Sequence, residues 1–436
     1  MAVDPADPVR PTGSTPVPPA YRNGPFLRYV AGQAVSVLGD QVWYVALSWT
    51  AVRVASPGVA GVVLAVSSLP RLVLLLVGGA LADRYDPRRL MIGSDLGRLL
   101  VSLVAAAVAA LSPGVPLLIA VALLFGLADA VFLPAAGTVL PRLLHPEQLA
   151  SGNATTTMAA RLALTLGAPL GGILVAAGGL ALACVVNAVT FAVSVLALLW
   201  VRPRPAPPAA APEADRRLTG ALREGLGYLV RHRTLRILLL VSLLTNLGFV
   251  GPMNVGLALV SDLRGWGAAG IGQLLAGFGV GAIVGAAAMA RLRLPERSTA
   301  AACAAVQGLA VFAVAVGGTR WFAVGCCVLV GMTSGPLAIV IVTVTQRMTE
   351  DRFRGRVTSV NTLANLGITP LAIAAMGALA GWVGTVPAFA ASASLELLAA
   401  FACLLWLRIP AEPPRPAAPA AWRQPAAPGS AHSQRG

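Results

Sequence analysis

"RLVLLLVGGALADRYDPRR", residues 71–89, sets twelve residues with a single charge against seven that carry five. Hydrocarbon that ends abruptly in a knot of charge is how a chain leaves a bilayer, and the pattern recurs. "LLVSLVAAAVAAL" (99–111), "LLIAVALLFGLA" (117–128) and "FAVSVLALLW" (191–200) offer no polar face to water. Of 436 residues, 57% are hydrophobic and 11% charged, where a soluble chain carries about a quarter charged. A run of about 20 apolar residues spans the hydrocarbon core. The class is an all-α, polytopic integral membrane protein.

Cutting at charged or Pro/Gly-rich turns gives twelve spans, near 27–54, 58–82, 89–111, 115–138, 153–177, 180–201, 235–260, 267–290, 298–317, 321–346, 356–381 and 386–407. A disordered Pro-rich head (1–24), a first bundle (25–201), a linker (202–234), a second bundle (235–408) and a disordered Pro/Ala tail (409–436) follow from these cuts.

The net charge of +15 does not point to nucleic acid, because its distribution follows membrane topology. All 32 basic residues are arginine. With both termini cytoplasmic, 26 lie in the head, the inner loops and the tail, three in outer loops (Arg53, Arg264, Arg320) and three within spans. That bias predicts a multi-pass protein of the cytoplasmic membrane with both ends inside. The head lacks the pattern of a cleavable signal peptide. Five cysteines within apolar spans read as small hydrophobes, and three scattered histidines lack metal-ligand spacing. No metal and no cofactor are expected, nor any enzyme activity: no nucleophile–base set or phosphate loop occurs. "GFGVGA" (277–282) fits a dinucleotide fingerprint, but it sits inside a span with no strand before it. Close helix packing through small residues accounts for it.

The chain repeats itself. "LRYVAGQAVSVLGDQ" at 27 faces "LRILLLVSLLTNLGFV" at 235, with Leu38-Gly39 against Leu247-Gly248, and "PEQLASGNATTTM" at 146 faces "TEDRFRGRVTSVN" at 349, the offset drifting only from 209 to 203. A parallel repeat of two six-helix bundles places a substrate site between them near the midplane. In the linker, Leu218, Leu222, Leu226 and Leu229 share one helical face with arginines elsewhere. Such a helix is expected to lie on the anionic inner leaflet; a solvated connecting helix is the alternative.

The turn at 78–89 resembles the signature G-x-L-a-D-R-x-G-R-R of the major facilitator superfamily: Gly79, Leu81, Asp83, Arg84 and Arg88 match. Asp86 replaces its glycine and Pro87 the first of its paired arginines. The resemblance implies a cytoplasmic gate in which Asp83 meets the start of span eleven, where Arg354, Arg356 and a positive helix end lie. "GQAVSVLGDQ", "FLPAAGTVLPRLLHPEQLASGNA" and "GAPLGGIL" are similar to the drug:proton antiporter-like branch that includes macrolide-efflux and enterobactin-exporter-like proteins. Within "GAPLGGIL", Gly167, Gly171 and Gly172 fit the antiporter motif of span five, with Pro169 one place later than usual. The span-four arginine of many such antiporters is absent, and Asp129 stands in that span.

Charges within a span are functional by default. The first half holds Asp40, Arg71, Asp95, Arg98, Asp129 and Arg161 as candidates for ion pairing. Asp40 and Arg71 both fall about 20 Å from the outer surface at 1.5 Å per residue, Asp95 and Arg98 are one turn apart, and Asp129 and Arg161 match in depth. The set could be purely structural. Buried pairs are, however, a costly way to gain stability, and an acid that exchanges its arginine can take up a proton. Asp40 is the first candidate for proton coupling and Asp129 the second; Glu396, alone in span twelve, is a further proton site or a tolerated neutral acid. Gln41, Trp43, Tyr44, Asn246, Asn254 and Gln273 are candidate substrate-cavity groups, with ordinary packing the alternative for the first three. The expectation is a monomeric twelve-helix exporter of a small organic molecule (a drug, siderophore or secondary metabolite), driven by protons. An importer or uncoupled facilitator, or a lipid scramblase or flippase, are the alternatives.

Overall fold

The computed structural model describes residues 19–70, 85–201, 204, 218–292 and 295–408. Span one is Gly24–Val54, and Pro57–Val66 is the first part of span two. Its remainder, with Arg71, Gly79, Asp83 and Arg84, lies outside the described residues. Spans three and four are Pro87–Leu111 and Val115–Leu143. Spans five and six form one run, Leu149–Trp200, broken at Gly178 and at Gly179, whose φ of 62° suits glycine. After the linker helix Leu218–Arg231, span seven runs through Arg233–Gly251, a π-turn at Pro252–Gly256 and Leu257–Leu263. Spans eight to twelve are Gly267–Arg291, Glu296–Val316, Arg320–Met348, Asp351–Val383 and Thr385–Leu407.

Nine helices among the described residues are long and apolar enough to cross a membrane. The run through spans five and six counts once among them, and span one is not among them. Large apolar side chains such as Leu111, Ile173, Leu371 and Trp382 point outward. That surface belongs in lipid rather than water.

Helix ends are tied across each half by the same device. Asp86 caps span three by accepting from the Arg88 backbone N–H at 2.8 Å, with Pro87 in the first turn, where its missing N–H costs nothing. The Arg88 guanidinium donates to the last carbonyls of span six, Leu198 at 2.8 Å and Leu199 at 2.7 Å. In the second half, Arg297 opens span nine and donates to Trp406 O at the end of span twelve. Arg88, expected in the gate, caps a negative helix end.

The halves meet tightly at one end, the side away from the termini. Gly61 of span two lies against Gly377 of span eleven, where an added methyl would come within 2.9 Å of the Gly377 Cα. Gly172 of span five abuts Ala268 and Ala269 of span eight, and Gly272 returns the contact to Ala168 and Pro169. Arg53 and Asp262 bridge the same rim at 3.2 Å. Only residues this small let backbones from opposite bundles touch.

Candidate functional site

In the first half, three described intramembrane acids meet on one side chain. Span three carries Asp95 and Arg98 on one face, three residues apart, and both are buried. Arg98 donates to Asp95 at 2.5 Å and to Asp129 of span four at 3.0 Å, and lies 3.8 Å from Asp40 of span one. The second Asp95 oxygen accepts from the Ser194 hydroxyl of span six at 2.7 Å. The guanidinium sits between the rings of Phe132 and Phe191, at 4.5 and 4.6 Å, an arrangement that favours a desolvated cation. Asp40 and Asp129 keep 37% and 28% of their side-chain surface accessible, against 0% for Asp95. Two acids of the cluster therefore keep an accessible side while the third is sealed.

Arg161, matched in depth to Asp129 by the sequence, is not placed on it. It faces a cavity of about 960 Å³ between span five of the first half and spans seven to eleven of the second. Asn153, Thr157 and Arg161 follow at four-residue spacing and share the cavity face of span five. Across from them, Asn246 donates to Asn365 at 2.7 Å, and Ser242 donates to the same oxygen at 3.2 Å. Phe249 and Phe278 form an aromatic pair with centroids 5.6 Å apart. At the end nearer the tight seam, span eight brings Gly279 onto Thr165.

Of the other candidate cavity groups, only Asn246 lines this space. Trp43 is 6% exposed and packs on Phe125 in the core of the first half. Asn254 donates to Val250 O beside the π-turn, and Gln41 lies where span five crosses at Gly167. The Tyr44 hydroxyl and Gln273 Oε1 are buried without a partner among the described residues. Asn365, Gln307 and Thr157 line the cavity but escaped sequence reasoning, since lone polar residues in apolar spans carry no periodic signal. Glu396 is fully buried behind the cavity wall, where Gln307 donates to its Oε1 at 3.0 Å.

Comparison with known proteins fixes the lineage. The family model described as transmembrane secretion effector matches residues 17–436. The enterobactin exporter EntS of Salmonella typhimurium is 31% identical over 334 residues, 74% of this chain and 76% of its own. The chain belongs to the major facilitator superfamily. The multidrug efflux pump Tap of Mycobacterium tuberculosis is 27% identical over 408 residues, 89% of this chain and 94% of that one. Among solved structures, the nucleoside transporter NupG superposes with a TM-score of 0.74 at 12% identity, over 88% and 99% of the two chains. A bacterial homologue of the iron transporter ferroportin, in an inward-facing state, gives 0.68 at 18%, over 88% and 99%. The protein is thus a multi-pass membrane transporter of the major facilitator fold for a small-molecule substrate.

The superfamily's gate is only partly described. Asp83 and Arg84 lie outside the described residues, and Arg354 lines a small recess beside Arg347. Arg356 is bound by Glu224 of the linker helix at 2.6 Å. The Tyr228 ring stacks on Phe353 at 4.5 Å, its hydroxyl accepts from the Glu350 N–H, and Gly225 sits against the Arg356 backbone. The linker helix therefore packs through Gly225, Tyr228 and Leu229 onto spans seven and eleven, while Leu226 stays exposed. Of the leucines on the expected face, Leu229 is thus turned to the protein and Leu226 away from it. In the antiporter motif, Gly167 and Gly171 admit span one and Gly172 admits span eight, and Pro169 meets Gly272. The motif is a packing node at the seam.

Proposed function

We propose that this protein exports a small organic molecule, of the drug, siderophore or secondary-metabolite kind, by alternating access coupled to proton entry. One observation carries the proposal: Arg98 serves three carboxylates, of which Asp40 and Asp129 remain accessible. Protonating one accessible acid loosens its hold on Arg98 without stranding the guanidinium, which keeps Asp95. The cluster lies on spans one, three and four, so a change in its charge is felt by the half that must move. Asp40 is assigned the proton and Asp129 is its alternate. Glu396 has no arginine beside it among the described residues and is assigned to packing. Export, rather than import, is supported by what the relatives are named for. The arginine bias supports a cytoplasmic-membrane protein with both termini inside, so that the tight seam faces out and the cavity faces in.

The test reconstitutes the protein in liposomes holding a pH-sensitive dye and adds cationic, macrolide-like and siderophore compounds. Substrate-triggered proton flux that disappears in Asp40→Asn supports the assignment. Flux that survives there and disappears in Asp129→Asn moves the proton site. Substrate movement without proton flux removes antiport.

A further inference from the structure

We infer that the cavity between the halves is a site for an amphiphilic organic anion, whose charged group is held by Arg161. The inference rests on the exporter proposal and names the substrate class of that site.

Among the described residues lining the cavity, Arg161 is the only charged one. Among the described residues, no hydrogen bond or ion pair engages its guanidinium; only its backbone carbonyl is used, by Thr165. The described intramembrane acids of the first half, Asp40, Asp95 and Asp129, each pair with Arg98, and none is placed on Arg161. The acid nearest the opposite wall, Glu396, is fully buried behind Gln307 and belongs to the packing of span twelve. Every other described polar residue on the walls is neutral, among them Asn153 and Thr157 beside Arg161 and the Ser242, Asn246 and Asn365 cluster across the space.

The guanidinium is exposed to the chamber with no counter-ion among the described residues, so a ligand oxygen bearing negative charge can pair with it without displacing one. Its planar fork matches a carboxylate, phosphate, sulfonate or catecholate through two parallel hydrogen bonds. Thr157, one turn away on the same face, offers a hydroxyl to the same group. The body of the ligand meets Phe249, Phe278 and Met158 on the surrounding walls. The volume of about 960 Å³ lies at the upper end of the range for drug-sized ligands. An amine would meet Arg161 with no acid opposite, so the chamber selects by repulsion as well as attraction.

The test uses one fluorophore in three charge states, dansylglycine (anion), dansylamide (neutral) and dansylcadaverine (cation), titrated against the full-length protein in detergent. Dansylglycine is expected to bind at least tenfold more tightly than dansylamide, and dansylcadaverine most weakly. Arg161→Ala should erase the preference, Arg161→Lys should keep part of it, and Arg161→Glu should turn it toward the cation. Thr157→Val should weaken dansylglycine alone, by about threefold. Gel filtration reports that each variant keeps its fold. The inference is overturned if the wild type binds dansylcadaverine as well as dansylglycine, or binds no dansylglycine at millimolar concentration. It is also overturned if a folded Arg161→Ala protein keeps the anion preference. Repeating the titration in phosphatidylglycerol and phosphatidylcholine nanodiscs separates two sources of the anion. Loss of dansylglycine binding only in phosphatidylglycerol assigns Arg161 to a lipid headgroup, and equal binding assigns it to a soluble anion; both uphold the anion site. The titration needs no gradient, so its failure is distinct from a failure of proton coupling.

Discussion

Asn187 and Glu396 hold the same place in the two halves. Each is fully buried in the last span of its bundle, against a glycine of the first span: Asn187 at Gly39, Glu396 at Gly248. A neutral amide therefore suits this position, and Glu396 needs no charge to fill it. Its Oε1 accepts from Gln307, and its Oε2 has no partner among the described residues. Glu396→Gln keeps an oxygen for Gln307 and should leave substrate-driven flux within about twofold of wild type. Glu396→Leu strands the Gln307 amide and should cost on the order of 1–3 kcal/mol, read as a lowered Tm in detergent. Flux abolished in a stable Glu396→Gln protein would return this residue to the proton path.

Arg98 is the position where a single change should do most harm. Removing it leaves Asp95 buried with only Ser194 and takes the shared cation from Asp40 and Asp129. Breaking a buried pair by deleting one partner costs on the order of 3–5 kcal/mol, enough to unfold a marginal bundle. Arg98→Ala is expected to express poorly and elute aggregated. Arg98→Lys should not restore it, because an ammonium cannot reach three carboxylates while lying between two rings. Asp95→Asn keeps the Ser194 contact and should fold, with Tm lowered by a few degrees. Stability of Arg98→Ala equal to wild type would refute this account.

Much of the fold was legible because bilayer physics writes it in runs of about 20 apolar residues with charged turns between. The break at Gly178–Gly179 falls between the fifth and sixth predicted spans, where nothing but two glycines marks it. The 3.6-residue period places Asp95 beside Arg98 from spacing alone. Which further acids reach Arg98 depends on how spans one, three and four pack, and no local pattern carries that. The same limit hid the pairing of Arg356 with Glu224, the cap made by Arg88 and the place of Arg161 as the one charged residue among those described on the cavity wall. Span one shows the converse: its polar residues mark it as an interior helix, yet Trp43 belongs to the core and not to the cavity.

The linker helix should act as a strap on the start of span eleven. Its hold combines the Glu224–Arg356 pair with the Tyr228–Phe353 stack. An exposed pair contributes about 0–1 kcal/mol and an aromatic pair about 0.5–1.5 kcal/mol. Losing both should raise the undocked population roughly tenfold, since 1.4 kcal/mol is a factor of ten. Trypsin cleavage after Arg223 reports undocking. Glu224→Ala with Tyr228→Ala should speed it about tenfold, and each single change by less. Cleavage no faster in the double variant than in wild type would mean that the helix is held elsewhere.

The glycine seam should decide which side of the transporter is closed. At Gly61 and Gly377, and at Gly172 and Gly272, backbones of opposite halves touch where no side chain fits. Gly172→Leu drives a side chain into the Ala268–Ala269 backbone of span eight, and repacking cannot make room because the obstacle is main chain. The seam must part, and alternating access supplies the state in which it is parted. In a cysteine-free background, Ala268→Cys, buried at 3% exposure in the closed seam, should be nearly inert to a membrane-impermeant maleimide. Adding Gly172→Leu should raise its labelling at least fivefold, and binding of a cavity ligand from the opposite side should fall in parallel. Gly93→Leu controls for bulk alone, since an added methyl there meets nothing within 4 Å; it should label as the parent does. Equal labelling with and without Gly172→Leu would mean that the seam is not what holds this face shut.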